Sequence, residues 1–138
     1  MSAFSWPCQV ALRSALLSIA ECAGRVYDMP PQIGSAFPYI QIGDSEIGPD
    51  DSGSSIVPGQ SDDGIVEDID IHVWDREHAG KKDVKVIADA IHERLHGSDL
   101  SIQGRASSLT WVRRIHVAIE PDGVTVRAIV SIQVIHRS

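Results

Sequence analysis

The strongest constraint on the fold is a long pair of alternating segments near the C-terminus. Apolar residues take nearly every second position in residues 109–119 and again in residues 124–136. Alternation with a period of two is typical of a β-strand with one buried face. The letters EPDGV join the segments, with proline and glycine at the second and fourth positions of a β-turn. The sequence therefore predicts a long antiparallel hairpin. One face of its first arm would carry Leu109, Trp111, Arg113, Ile115, Val117 and Ile119.

Two helices and two further strands are predicted before the hairpin. Apolar residues recur at helical spacing in residues 7–23 and 81–96, and Gly97 is placed to end the second helix. Residues 37–44 and 65–74 alternate as strands do. This order predicts an α+β fold: an antiparallel sheet of about four strands with a long C-terminal hairpin, and two helices packed on one face.

A polar segment, residues 45–64, separates the two upstream strands. It is rich in Gly, Ser, Asp and Pro and is too long for a tight turn, so we expect a mobile loop. Its paired acids, Asp50–Asp51 and Asp62–Asp63, lack the alternate spacing of an EF-hand loop, which favours solvated loop charge over a calcium site. The chain has 138 residues, the size of one domain, and we expect residues 1–138 to form one.

Composition and charge argue against several classes of protein. The fractions of hydrophobic residues (43%) and charged residues (22%) are those of a globular protein. No apolar run approaches the roughly 20 residues that span a bilayer, and the first residues lack the pattern of a signal peptide, so we expect no membrane partner. A net charge of −7 argues against a surface that grips nucleic acid. Cys8 and Cys22 fall in one predicted helix, about 21 Å apart, so we expect buried free thiols.

The letters HERLH in the second helix match the His-Glu-x-x-His pattern of zinc proteases. In that chemistry two histidines one turn apart bind Zn²⁺, and the glutamate is the general base. Gly97 ends the helix before the longer zinc pattern can form, Arg94 adds a positive charge beside the ion, and no other histidine has diagnostic spacing for a third ligand. We interpret His92, Glu93 and His96 as a chance match. We therefore expect no catalytic residue, no metal and no cofactor, with a zinc-dependent hydrolase as the alternative.

Three stretches of the chain resemble one protein family. They are RVYD at 25–28, AFPYIQIGDSEIGPDD at 36–51 and IDIHVWDREHAGKKDVKVIADAIHERLHG at 69–97. The chain resembles the tail-completion family of long-tailed phages, whose members act as tail terminators or tail-to-head joining proteins. Relatives also occur in gene transfer agents, the phage-like particles made by some bacteria. Most of the chain shares the resemblance, but the SGSSIVPGQSDDG part of the long loop does not match.

The resemblance implies a structural protein rather than an enzyme. Similar proteins form a six-fold ring that caps the finished tail tube and docks to the head connector. The expected partners are other copies of the chain, the tail tube protein and the head connector or stopper protein, with DNA only passing through the lumen. The expected location is the tail-neck region of a virion or gene transfer agent particle, assembled in the bacterial cytoplasm. A head-side neck protein, a stopper or adaptor, is the alternative within the same assembly.

Ring assembly and docking indicate where contact residues lie. Sheet edges and an exposed tryptophan are suited to side-to-side contacts. An acidic loop that orders on docking is suited to an end-on contact, and an acidic channel would let DNA slide without sticking. The candidate interface residues are Trp74, Asp68, Asp70, Asp50, Asp51, Asp62 and Asp63.

Overall fold

A single mixed sheet with two helices on one face makes up the fold. The computed structural model describes residues 5–22, 24–29, 36–49, 64–76 and 80–137. The sheet has five strands in the order β1-β2-β3-β5-β4, and all neighbours are antiparallel except β1 and β2. The predicted α+β fold is confirmed, with a short fifth strand added to the four expected. The strands are β1 (Val26–Tyr27), β2 (Tyr39–Pro49), β3 (Ile65–Asp75), β4 (Ser107–Ile119) and β5 (Val126–Arg137).

The second helix forms as its spacing predicts. Helix α2 spans Lys82–Leu95, His96 is its C-cap, and Gly97 after it has φ +76°, the left-handed conformation common after a helix end. Its apolar stripe packs on β3, β4 and β5. No helix in the described part of the chain is long and apolar enough to cross a membrane. The buried residues of α2 are Val84, Ile87, Ala88, Ile91 and Leu95.

The first helix is shorter than predicted. Helix α1 spans Ser5–Leu16 rather than 7–23, and a separate 3₁₀ turn follows at Ala20–Cys22. The hydroxyl of Ser18 donates to the carbonyl oxygen of Ala15 at 2.7 Å, and the backbone N–H of Ser18 bonds the same carbonyl, three residues back. Serine therefore competes with the helical bonding pattern at the point where α1 ends. Neither cysteine is in a disulfide bond, and both are buried, as expected.

The two faces of the sheet differ in what covers them. The core face of β5, with Val126, Ala128, Val130, Ile132 and Val134, is buried against the helices. Its other residues are only half-buried, because no helix among the described residues lies over the opposite face. We call this opposite face the open face.

Two β-bulges interrupt the sheet at the same height along the strands. One lies in β2 between Ile42 and Ser45, and the other in β4 between Val112 and Arg114. An extra residue moves all later side chains of a strand to the other face. The prediction of one continuous face for the first hairpin arm is therefore wrong: before the bulge, Leu109 and Trp111 point to the open face. After the bulge, the residues on the core face are Ile115, Val117 and Ile119.

The connections around β2 and the hairpin turn can be compared with prediction. Strand β2 continues to Pro49, so residues 45–49 of the predicted loop are strand, and residues 50–63 lie outside the described residues. The EPDGV turn forms: the N–H of Gly123 donates to the carbonyl of Glu120 at 3.0 Å. Hydrogen bonds from Thr125 and the N–H of Val124 to the side chain of Asp122 lower the pKa of that carboxyl to about 2.

Candidate functional site

Three of the predicted interface residues lie on the open face. Alternation along β3 places Asp68, Asp70 and Trp74 on this side, and none of them is fully buried. The other four candidates, Asp50–Asp51 and Asp62–Asp63, lie outside the described residues. The alternation predicted for residues 65–74 is confirmed, whereas the interface role of these residues stays a prediction.

Trp74 is packed onto the sheet rather than fully exposed. Its indole N–H donates to the side-chain oxygen of Gln41 on β2 at 3.2 Å. The guanidinium of Arg127, on β5, lies 5.0 Å from the centre of the indole, within reach of a cation–π interaction. Arg127 also forms an ion pair with Glu120, with 2.9 Å between Nε and Oε1. The indole is therefore a fixed, half-buried platform that spans three strands.

His72 lies beside Trp74, in surroundings that lower the pKa of its ring. Its ring is stacked with the indole at 6.1 Å between centroids, and its Nδ1 is buried without a hydrogen-bond partner in the described structure. Burial, and then the positive charge of Arg127, lower the pKa of His72, while the carboxylates of Asp70, Asp44 and Glu120 act in the opposite direction. These surroundings therefore favour the uncharged form of the imidazole.

A groove runs across the open face between the two bulges. It has a volume of about 750 Å³ and carries acids on the β2 and β3 side and arginines on the β4 side. Asp70 accepts a hydrogen bond from Ser131 at 2.9 Å, which ties β3 to β5 at the floor of the groove. The groove is therefore negatively charged on its β2 and β3 side and positively charged on its β4 side. The charged lining residues are Asp44, Glu46, Asp68, Asp70, Arg113 and Arg114.

The HERLH residues join α2 to β4. The rings of His92 and His96 are stacked at 4.8 Å, so the two residues do share a side, as their spacing predicts. Nδ1 of His96 accepts the backbone N–H of Val112 at 3.0 Å, and its ring meets the edge of Trp111. Across the described ranges, no third ligand joins these histidines. Structural contacts thus account for His96, and the interpretation of the motif as a chance match stays a prediction.

Sequence reasoning missed a buried polar cluster under α1. Glu67 and His136 are 1% and 0% exposed, and Cys8 is 0% exposed. Nε2 of His136 lies 3.3 Å from the carboxylate of Glu67, and Arg105 donates from Nε to Nδ1 of the same ring at 2.9 Å. Strand alternation could have revealed this cluster. Glu67 lies on the same face of β3 as the buried Ile69, and His136 lies on the same face of β5 as the buried Val134.

The cluster contains the kinds of side chain that bind metal ions, but both ring nitrogens of His136 already have hydrogen-bond partners. The ligand atoms of Cys8, Glu67 and His136 all lie within 4.8 Å of one another. Because a guanidinium only donates, Nδ1 of His136 must accept, and the ring proton sits on Nε2 facing Glu67. Burial, and then the charge and hydrogen bond of Glu67, raise the pKa of the Cys8 thiol. The observed contacts form a buried hydrogen-bond chain from Arg105 through His136 to Glu67.

Comparison with known proteins places this surface in context. The family model of tail completion protein gp17 matches residues 10–137. A solved chain from the virion of a native gene transfer agent (GTA) particle has the same fold, with a TM-score of 0.79 and 22% identity over 100% of both chains. A second solved chain matches with a TM-score of 0.60 and 11% identity, over 94% of this chain and 96% of that chain. No curated protein sequence matches. The family model spans nearly the whole chain and confirms the resemblance, so the chain belongs to the tail completion protein gp17 family and is a structural tail protein of a phage-like particle.

Proposed function

We propose that the protein forms a hexameric ring that terminates the tail tube and joins it to the head connector. The observation that carries this proposal is the match of the tail completion family to residues 10–137. The likeness of the whole fold to a chain of a gene transfer agent virion supports it. The proposed location is the tail-neck region of such a particle or of a phage.

Termination follows if the two sides of the ring differ. In a ring built from heterologous contacts all copies point the same way, so the two sides present different surfaces. One side matches the growing end of the tube. The other offers no site for a further tube subunit and instead binds the head connector or stopper protein. Polymerisation therefore stops at the ring by surface complementarity, and no covalent chemistry is needed.

The open face supplies the contact residues in this proposal. No helix of the described ranges covers Asp68, Asp70 or the platform of Trp74, and a fixed aromatic platform suits a protein contact. The loop acids, at positions 50, 51, 62 and 63, would add an acidic end-on contact. A net charge of −7 suits a lumen through which DNA passes without binding.

A substitution at Trp74 tests the contact role. Trp74→Glu removes the cation–π contact with Arg127 and puts a charge on the platform. We expect the variant to fold with a lower melting temperature, because the contacts with Arg127, Gln41 and His72 are lost and each is worth on the order of 1 kcal/mol, while complementation of a deletion strain fails. Trp74→Phe keeps an aromatic ring on Arg127 and should still support particle assembly. If Trp74→Glu yields normal particles, Trp74 is not a contact residue.

Electron microscopy of particles from a strain lacking this gene tests the function itself. Overlong tails without heads, beside tailless heads filled with DNA, are expected of a terminator. Tails of normal length that fail to attach would assign the protein to the head-side neck, as a stopper or adaptor. Normal particles would overturn the assembly role altogether.

A further inference from the structure

Helix α1 carries apolar side chains on both of its sides. The buried residues of its core side are Cys8, Leu12, Ala15 and Leu16. On the opposite side, at positions i, i+4 and i+11, Trp6 and Val10 are 63% and 50% exposed, and Leu17 just after the helix is 38% exposed. We call Trp6, Val10 and Leu17 the α1 stripe. A helix that is apolar all round is typical of one that is covered all round, whereas the described residues leave this stripe exposed.

A second apolar surface lies on the open face of the sheet. Val66 of β3 and Leu109 of β4 both pair with Ile135 of β5, so the three side chains share the open face. Trp111, two residues after Leu109 and ahead of the bulge, lies on the same side. We call these four residues the open-face row. Leu109 and Trp111 are exposed, and no helix of the described ranges covers the row.

The open-face row and one end of the α1 stripe lie at the same height along the strands. On the core face, the ligand atoms of Cys8, Glu67 and His136 all lie within 4.8 Å of one another. Cys8 stands between the first two members of the stripe in α1, and Glu67 and His136 directly follow two members of the row in β3 and β5. Copies in a ring with its axis along the strands are related by rotation without a step along that axis. The two surfaces can therefore meet in such a ring.

The charges beside the two surfaces are of opposite sign. Arg13 is the only charged residue of α1, and its Nε donates to the carbonyl oxygen of Val26 at 3.3 Å. The register places Val26 level with Val73, so Arg13 lies between the height of the open-face row and that of Val73. Between the same heights, the open face carries Asp68 and Asp70. A neighbouring copy at equal height would therefore bring Arg13 to the acidic side of the groove.

We propose that the α1 stripe of one copy packs on the open-face row of the next copy, with Arg13 facing Asp68 and Asp70 of that copy. This inference rests on the ring of the proposed function and names the contact that closes it. Each copy uses its stripe once and its row once, so the contact is heterologous and all copies point the same way. The angle between the two surfaces sets the number of copies at which the ring closes. Both apolar surfaces are covered in the same contact.

Cross-linking between copies tests the contact. A chain with Val10→Cys and Leu109→Cys has one new thiol in the stripe and one in the row. Cys8 and Cys22 are buried, so a short bis-maleimide should react only with the two introduced thiols. On a denaturing gel we expect a ladder of covalent oligomers that ends at the size of the ring measured by native mass spectrometry. Each single variant lacks the partner thiol and should give no ladder.

A chain with Val86→Cys and Leu109→Cys is the matched control. Val86, like Val10, is an exposed helical valine, at 41% exposure, but it lies on α2, outside the stripe. This control should form rings in solution and run as a monomer on the gel. If rings form and the Val10 variant gives no more ladder than the Val86 variant, the contact is overturned and the ring stands. An unmodified protein that forms no ring, alone or on tail tubes, would overturn the proposed function and this inference with it.

A charge placed in the stripe tests the same contact without a cross-linker. Val10→Glu would bury an unpaired carboxylate against the row, so the dissociation constant between copies should rise by about a hundredfold or more. Val86→Glu puts the same charge on α2 and should leave assembly unchanged. Sedimentation velocity measures both, and circular dichroism checks that each variant is folded. Equal assembly of the two folded variants would contradict the packing of α1 on the open-face row.

Discussion

Gly43, in the bulge of β2, lies where the sheet leaves no room for a side chain. A Cβ there would meet the ring of His72 at 2.7 Å and the carbonyl oxygen of Asp70 at 2.9 Å. Gly43→Ala must therefore displace the ring or the backbone of β3, and we expect a loss of about 1–3 kcal/mol in the free energy of unfolding. Urea denaturation measures it. Gly48→Ala on the same strand meets nothing within 4 Å and is the control; equal losses in both variants would contradict this explanation.

The Cys8 thiol should make stability fall at alkaline pH. Burial raises the pKa of Cys8 above its ordinary value of 9.0, whereas the thiol of the unfolded chain keeps that value. Below pH 9 both states hold the proton and stability is unaffected. Above it the unfolded chain loses the proton first, so the free energy of unfolding declines as pH rises. Unfolding curves at neutral pH and above pH 9 measure the decline.

Cys8→Ala is the control for this dependence, since the variant lacks the thiol that titrates. Its free energy of unfolding should change less between the two pH values than that of the unmodified protein. The same burial predicts that thiol reagents label neither Cys8 nor Cys22 until denaturant is added. Rapid labelling of the folded protein would show that α1 does not protect Cys8.

At the scale of elements, substitutions at the contact between α2 and β4 can distinguish a structural role of HERLH from a role in metal binding. His96→Ala removes the acceptor for the N–H of Val112 and the contact with Trp111, so the free energy of unfolding should fall by about 1 kcal/mol. His92→Ala removes only the ring stack and should cost less. A zinc site would instead lose metal equally in both variants. Metal analysis of the purified proteins beside urea denaturation distinguishes the two cases.

The elements that the sequence predicts best are those with an uninterrupted period. Alternation in β3 and β5 and the stripe of α2 match the structure, because burial on one face acts at every turn or every second residue. Two features that depend on a single residue each were not predicted from the sequence. The bulge at Arg113 reversed the faces of β4, and the Ser18 hydroxyl shortened α1. Neither leaves a periodic trace, because the bulge shows only in the pairing of β4 with β5, and the Ser18 bond to Ala15 is a single local contact that competes with the helix.

The candidate site was predictable only in part, for a similar reason. Alternation placed Asp68, Asp70 and Trp74 on one face, because orientation along a strand is a local property. The basic side of the groove was missed, since Arg113 comes near these acids only through the strand order β3-β5-β4. Single-sequence patterns do not carry that order. Glu67 and His136 likewise become partners only through the register of β3 with β5.

For the whole molecule, the distribution of charge argues for passive contact with DNA. The net charge of −7 is spread over a surface whose arginines Arg113 and Arg114 lie close to the acids of the groove. A protein that binds duplex DNA neutralises several phosphates with an uninterrupted basic patch, and its affinity falls steeply with salt. Here the potential that DNA would meet is on balance repulsive. A ring of such subunits would repeat the repulsion around its lumen.

We therefore expect no saturable binding of duplex DNA, even at low salt, where electrostatic attraction would be strongest. Fluorescence anisotropy of a labelled duplex, titrated with the protein at two salt concentrations, measures this, with a basic DNA-binding domain as the positive control. The double variant Asp68→Lys and Asp70→Lys raises the net charge from −7 to −3 (−7 + 4) and joins Arg113 and Arg114 into one basic groove. If acids on the open face prevent binding, the variant should gain a weak affinity that falls with added salt. Tight, salt-sensitive binding by the unmodified protein would instead mean that DNA is a partner that it holds, and a lumen that only lets DNA pass would be the wrong description.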